Sequence, residues 1–207
     1  MKKRDIEFAI IFIAVALIIV TSFYWDNQIV KDIALMRAEA LTVFFIAIAL
    51  ASSEGIIAVF LSVILLWQYD KRKWIMPLWF TLAISAIAGF FLKLMIKRER
   101  PFQAELVSTF DLLEKANYSS WNFSFPSFQA MMVFCAVPIV SKNFPKFKYA
   151  WILFAGLVAF SRVYLGLHFL SDVIVGGIIG YFIGLIIINK EEESHFWQKT
   201  YNKVIGV

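Results

Sequence analysis

Three short stretches of the 207-residue chain combine residue types suited to holding an anion and attacking it. In Lys93-Leu-Met-Ile-Lys-Arg-Glu-Arg100-Pro101, two cations stand seven residues apart, hence on one face if the helix continues, until Pro101 ends it. Two cations on one face, with no acid matching them on that face, suit a bound anion; read alone, the stretch is equally a solvated basic helix end. In Ser124-Phe-Pro-Ser-Phe-Gln129, Pro126 suits a first helical turn whose free backbone N–H groups attract anions, and Ser127 adds a hydroxyl donor. By itself this is an ordinary helix start. In Ser161-Arg-Val-Tyr-Leu-Gly-Leu-His168-Phe-Leu-Ser-Asp172, the i,i+4 spacing lets the carboxylate of Asp172 hold one imidazole nitrogen while the other faces a substrate. A lone membrane histidine more often bonds helix to helix, but Arg162 just before it and Asp172 one turn on favour chemistry.

The elements that must carry these groups are membrane helices. Hydrophobic residues make up 61% of the chain and charged ones 17%, and the mean hydropathy is +0.75, too apolar for the surface of a soluble domain. Apolar runs extend over Ile6 to Tyr24, Leu41 to Trp67, Ile75 to Leu92, Pro126 to Val140, Tyr149 to Leu165 and Phe169 to Ile188. Most approach the roughly 20 residues that span a hydrocarbon core, the fourth being short. The expected fold is all-α: one membrane-embedded domain over residues 1–207, a bundle of about six transmembrane helices plus a short interfacial helix between Trp25 and Ala40. The first run is long for a signal peptide and lacks a small-residue cleavage site, so it reads as a retained span. Trp25, Trp67, Trp74, Trp121 and Trp151 fall near span ends, as interfacial anchors do.

Lysine and arginine set the expected orientation. Lys2, Lys3 and Arg4 precede the first span, Lys71, Arg72 and Lys73 join the second and third, and Lys142, Lys146 and Lys148 join the fourth and fifth. All three clusters fall on one side, which the positive-inside bias makes cytoplasmic, with both termini. The loop from Lys93 to Phe125 and the turn from Ser161 to His168 then face outward, and Lys93, Lys97, Arg98 and Arg100 violate the bias. Such a violation invites a functional reason. Placement of basic residues between spans, with a net charge of +5, fits membrane topology and anionic lipid or phosphate better than a nucleic-acid groove, so no nucleic-acid partner is expected. Cys135 is the single cysteine, so no intrachain disulfide forms. Asn117-Tyr-Ser119 and Asn122-Phe-Ser124 match the glycosylation pattern, which chance supplies often.

The ordered pattern Lys93-x6-Arg100-Pro101, Pro126-Ser127 and Ser161-Arg162-x5-His168-x3-Asp172 resembles the three-part signature of the type 2 phosphatidic acid phosphatase superfamily, the integral membrane lipid phosphatases. The resemblance covers Lys93 to Asp172 and implies a phosphatase that needs no metal or other cofactor, with six spans and an outward-facing site. It implies that Lys93, Arg100 and Arg162 grip the phosphoryl oxygens, assisted by Ser127 and the backbone N–H of Phe128. His168 would take the phosphoryl group and Asp172 would orient it. Membrane lipids and a lipid phosphate or diphosphate are the implied partners. The second part departs from the pattern, with Phe128-Gln129 where the family has Gly-His. That histidine protonates the leaving oxygen in the family; glutamine cannot, which puts about 10²- to 10⁴-fold in rate at stake.

Two explanations fit the departure. In the first, the substrate is a polyprenyl diphosphate, whose leaving phosphate needs no proton. In the second, the protein binds lipid phosphates with impaired turnover. Glu54, an acid inside the second run, would lie about 20 Å deep on a straight helix and there reads as a structural or lipid-facing polar group rather than a proton donor. A small transporter is the rival from another class, opposed by the lack of an inverted repeat.

Overall fold

A computed structural model describes residues 3–108, 110 and 123–205; the glycosylation-like asparagines Asn117 and Asn122, Lys115 and Trp121 lie outside these residues. The described residues are overwhelmingly helical, as the composition requires. Helix α1 (Lys3–Leu35) is continuous, and no separate interfacial helix follows Trp25. With neither proline nor glycine between Ile6 and Leu35, nothing breaks its hydrogen-bond ladder. Its polar second half has a buried partner instead, since Asp26 is only 1% exposed.

The second apolar run is two helices, α2 (Glu39–Ala51) and α3 (Glu54–Trp67), bent by 64° at Ser52-Ser53. The serine pair is the cause. Ser52 Oγ bonds back to the Ala49 carbonyl at 3.1 Å, while Ser53 turns to an extended conformation (φ −60, ψ 145) and starts a new helix. A basic 3-10 turn (Tyr69–Trp74) leads into α4 (Ile75–Ile96), with Pro77 tolerated in its first turn. Beyond the site loops come α5 (Phe128–Asn143), α6 (Lys148–Tyr164), α7 (Leu170–Ser194) and the amphipathic α8 (Phe196–Ile205).

Three helical stretches, Ile13–Leu35, Tyr69–Ile96 and Leu170–Ser194, are long and apolar enough to cross a membrane, and the bent pair makes a fourth if taken as one span. Helices α5 and α6 have 16 and 17 residues, short of the roughly 20 that a hydrocarbon core demands. Helix α5 lies inside the bundle, most of it buried. Outward faces of α1 to α4 carry exposed Ile13, Leu17, Val43, Val59, Phe90 and Phe91, a lipid-facing belt. The chain is an integral membrane protein.

A glycine comb locks α5 to α7. Gly176, Gly180 and Gly184 recur every fourth residue on α7, and a Cβ on each would stand 2.6, 2.2 and 2.1 Å from the carbonyl oxygens of Ser127, Met131 and Cys135. Only glycine permits backbones this close, and in lipid such packing replaces the hydrophobic drive available in water. The comb's upper tooth lies beside the chemistry: one turn before Gly176, the Asp172 carbonyl accepts the Ser127 N–H at 2.9 Å. On the other side of α5, Trp151 of α6 donates Nε1–H to the Val133 carbonyl at 3.1 Å, within a core shared by α3 to α6.

Candidate active site

Helix α4 ends four residues earlier than Pro101 suggests. Lys97 adopts the left-handed conformation (φ 51) and its N–H returns to the Lys93 carbonyl, so Arg100 lies beyond the helix and shares no helical face with Lys93. Both cations nevertheless reach the same place. Lys93 is buried and donates from Nζ to the Phe123 carbonyl, while Arg98 accepts the Ser124 N–H on its carbonyl at 2.7 Å, which ties the two loop ends together. Arg100, 2% exposed, donates from Nη1 to the Leu167 carbonyl at 2.8 Å.

His168 precedes α7, and Asp172 occupies its first turn, so the i,i+4 pair straddles a helix start. Asp172 Oδ2 accepts the Phe169 N–H at 2.8 Å, an N-terminal capping contact that fixes the carboxylate. The imidazole Nδ1 lies 3.7 Å from Oδ2, longer than the direct hydrogen bond read from the spacing. Ser124 fills the difference: its hydroxyl donates to Oδ2 at 2.5 Å and lies 3.5 Å from Nδ1. Nε2 stands 3.1 Å from Arg100 Nη1. His168 is 1% exposed, and burial, followed by the fields of Arg100, Lys93 and Arg162, holds it well below the usual imidazole range. Burial and the neighbouring Arg162 likewise lower Arg100, to about 9.

Arg162, at the last turn of α6, is 4% exposed, and its carbonyl accepts the N–H groups of Leu167 and His168. Of the buried side-chain polar atoms without a protein partner among the described residues, two belong to this site, Arg162 Nε and Ser127 Oγ. Ser127 is the N-cap of α5, so the N–H groups of Phe128 and Gln129 lie in the free first turn. Three cations, a helix start and two unclaimed donors around one imidazole make a cradle for a tetrahedral anion. Lys93, Arg100, Ser127, Arg162, His168 and Asp172 thus lie together, although Lys93 and Arg100 share no helix face and His168 does not bond Asp172 directly. Phe128 points away: its ring lies against Gly89 of α4, with Cδ2 3.0 Å from where a Cβ would stand.

A match to the PAP2 superfamily extends over residues 74–195 and includes every one of these groups. The chain belongs to the PAP2 superfamily. It is 33% identical over 120 residues to phosphatidylglycerophosphatase B of Bacillus subtilis (strain 168), covering 52% of this chain and 54% of that protein. The chain thus matches about half the length of this curated relative. The fold is that of the crystal structure of a transmembrane PAP2 type phosphatidylglycerolphosphate phosphatase from Bacillus subtilis (TM-score 0.70, 20% identity, 88% of this chain and 96% of that one). Aquifex aeolicus LpxE is also similar (TM-score 0.67, 29% identity, 79% and 94%).

Four participants escaped the sequence reading. Arg98 bonds Asp172 Oδ1 at 2.7 Å and Asp26 Oδ2 at 2.8 Å, and Asp26 also binds Ser171. Ser124 was visible only as the edge of a motif. An isolated acid at the end of an apolar span was the available sign for Asp26, since such a group must find a partner. Glu54 also differs from expectation. The bend at Ser52-Ser53 places it at the start of α3, lining a cavity of about 370 Å³ with Ala86 of α4 and Met132 of α5, within the field of both Lys93 and Arg162.

Proposed function

We propose that this PAP2 protein is a phosphatase acting on a lipid phosphate, favouring a polyprenyl diphosphate, through a phosphohistidine at the outer membrane face. The observation that carries the proposal is the state of His168. A guanidinium has no acceptor, so the contact with Arg100 requires a lone pair on Nε2 and places the proton on Nδ1, toward Ser124 and Asp172. That tautomer is the nucleophilic one.

In the first step Nε2 attacks phosphorus and the bond to the leaving oxygen breaks, transferring the phosphoryl group to His168. Lys93, Arg100, Arg162, Ser127 Oγ and the first-turn N–H groups of α5 stabilise charge on the equatorial oxygens. The positive charge that develops on the imidazole faces Asp172 through Ser124. In the second step water attacks the phosphohistidine, the N–P bond breaks, and inorganic phosphate leaves with His168 restored. Gln129 supplies no proton to the leaving oxygen, which favours a diphosphate: there the departing group is a lipid phosphate, already a weak base. The site lies at the end of the bundle where Arg37, after α1, donates to the Tyr164 carbonyl at the end of α6. Lys71 and Lys142 gather at the opposite end beside Phe144 and Glu192, an arrangement that supports an outward-facing site with cytoplasmic termini.

The same glutamine supports a second reading, a lipid-phosphate binder with impaired turnover. Purified protein in detergent, given matched lipid mono- and diphosphates, separates the two. The enzyme releases phosphate, faster from the diphosphate, and forms an acid-labile phosphoprotein absent from His168→Ala. Binding of both lipids with no phosphate release and no labelling would establish the binder instead.

A further inference from the structure

Asp26 lies on α1, outside residues 74–195 and 146 positions from Asp172, yet the two carboxylates share one guanidinium. Arg98 Nη2 reaches Asp26 Oδ2 at 2.8 Å, and Nη1 reaches both Asp172 Oδ1 and Ser171 Oγ at 2.7 Å. Asp26 accepts two further bonds from Ser171, from its N–H at 3.0 Å and from its hydroxyl. The guanidinium carbon lies 4.0 Å from the ring centroid of Phe169 and 5.3 Å from that of Phe23 on α1, so Arg98 is held by aromatic faces as well as by charge. Neither Asp26 nor Asp172 is more than 1% exposed.

We propose that Asp26 and Arg98 are positioning residues for the phosphoryl transfer, fixing the Asp172 carboxylate and, through it and Ser124, the direction and tautomer of His168. This rests on the phosphatase reading above. With Oδ1 tied to Arg98, the plane of the carboxylate is set, and Oδ2 is left for Phe169 N–H, the Ser124 hydroxyl and the imidazole. Untied, the carboxylate can turn about its last torsion, and the weak 3.7 Å approach to Nδ1 would not hold the ring by itself. Asp26 has its own part. A long arginine side chain gives up rotamer freedom when fixed, and Asp26 with the two rings fixes it before substrate arrives. Helix α1 therefore contributes to the site without touching the phosphate.

The test compares Asp26→Asn, Arg98→Lys and Ser171→Ala with the unchanged protein. Geometry rather than charge is the claim, so Arg98→Lys, which keeps the charge but cannot fork, should lower kcat by about 10- to 100-fold with KM within about twofold. Asp26→Asn should do the same more mildly. Because the chain has only His168 and His195, ¹⁵N-histidine spectra report the tautomer directly, with a His195→Gln variant for assignment. The variants should lose the pure Nδ1–H signature of His168. Ser171→Ala removes one hydroxyl and covers the case in which a charge variant fails to fold. A kcat unchanged in all three, or a lowered kcat with the His168 spectrum unaltered, overturns the proposal. If the unchanged protein turns over no lipid phosphate, the phosphatase reading fails; the spectra then still decide whether Asp26 and Arg98 set the imidazole.

Discussion

Nε2 of His168 and Nη1 of Arg100 stand 3.1 Å apart, both side chains buried, and the contact defines both groups. Arginine can only donate, so histidine must be neutral there, and each further cation makes a proton on the ring more costly. Arg100 comes from the loop after α4, Lys93 from α4 and Arg162 from α6, while Asp172 and Ser124 face the opposite nitrogen. The folded imidazole thus binds a proton less readily than the unfolded one, whose ordinary value is about 6.5. Below that pH the unfolded state takes up more protons, so folded stability falls as pH falls. Thermal unfolding in detergent should show a lower Tm at pH 5.5 than at 7.5, and His168→Asn should flatten part of that difference. An identical pH dependence in the variant would show that His168 is not depressed.

Removing the proposed nucleophile should separate chemistry from binding. His168→Ala is expected to lower turnover by at least about 10³-fold while leaving orthovanadate or lipid-phosphate binding within a few-fold, because the three cations and the helix start remain. Residual turnover near the original rate would assign the attack to another group.

Much of this site was readable because its chemistry is densely polar in an otherwise apolar chain. Lys93, Arg100, Arg162, His168 and Asp172 stood out by residue type alone, and their spacing placed them at the ends of helices. What the spacing could not supply was the path of the backbone. Helix α4 stops at a left-handed Lys97, which no residue preference announces, and the second span bends at an ordinary-looking serine pair. Long-range partners were equally hidden: nothing local ties Asp26 to Arg98. The expected six spans rested on apolar runs, yet the buried α5 is short because other helices, not lipid, surround it.

The glycine comb gives a stability prediction. At Gly180 an added Cβ meets the Met131 carbonyl at 2.2 Å, a backbone atom that cannot swing aside. Gly180→Ala should destabilise by about 1–3 kcal/mol through forced separation of α5 and α7. Gly55, with nothing within 4 Å, is the control, where alanine should stabilise α3 by about 0.5–1 kcal/mol. Equal effects at both positions, read from Tm in one detergent, would remove the comb from the account.

Orientation in the membrane is testable at two ends of the bundle. Lys71 sits over the Phe144 ring at 4.1 Å and Lys142 pairs with Glu192, so these basic groups share one end with the last turns of α7. At the other end Arg37 donates to the Tyr164 carbonyl at 2.8 Å, beside the site. A cysteine at exposed Met36 should react with an impermeant thiol reagent in whole cells, and one at Lys71 only after the membrane is opened. The reverse pattern would place the site inside.

In the proposed reaction Gln129 governs how the leaving group departs, and the place of Phe128 governs how to ask. Both residues replace the family's Gly-His, and a double reversion looks like the natural experiment. The packing argues otherwise: the Phe128 ring rests on Gly89 and belongs to the core of α3 to α6, so it does not narrow the phosphate's approach. Phe128→Gly would open a cavity at a cost on the order of 3 kcal/mol and blur any gain in rate. Gln129→His alone is the better variant. A histidine there gives the leaving oxygen a proton donor, worth about 10²- to 10⁴-fold where the leaving group is a basic alkoxide and far less where it is a phosphate. Monoester hydrolysis should therefore rise much more than diphosphate hydrolysis, measured as kcat/KM on lipids with the same tail. The unchanged protein should prefer the diphosphate, and the gap should close in the variant. A preference for monoesters before the change, or an equal gain for both substrates after it, would show that protonation of the leaving group is not what the glutamine gave up.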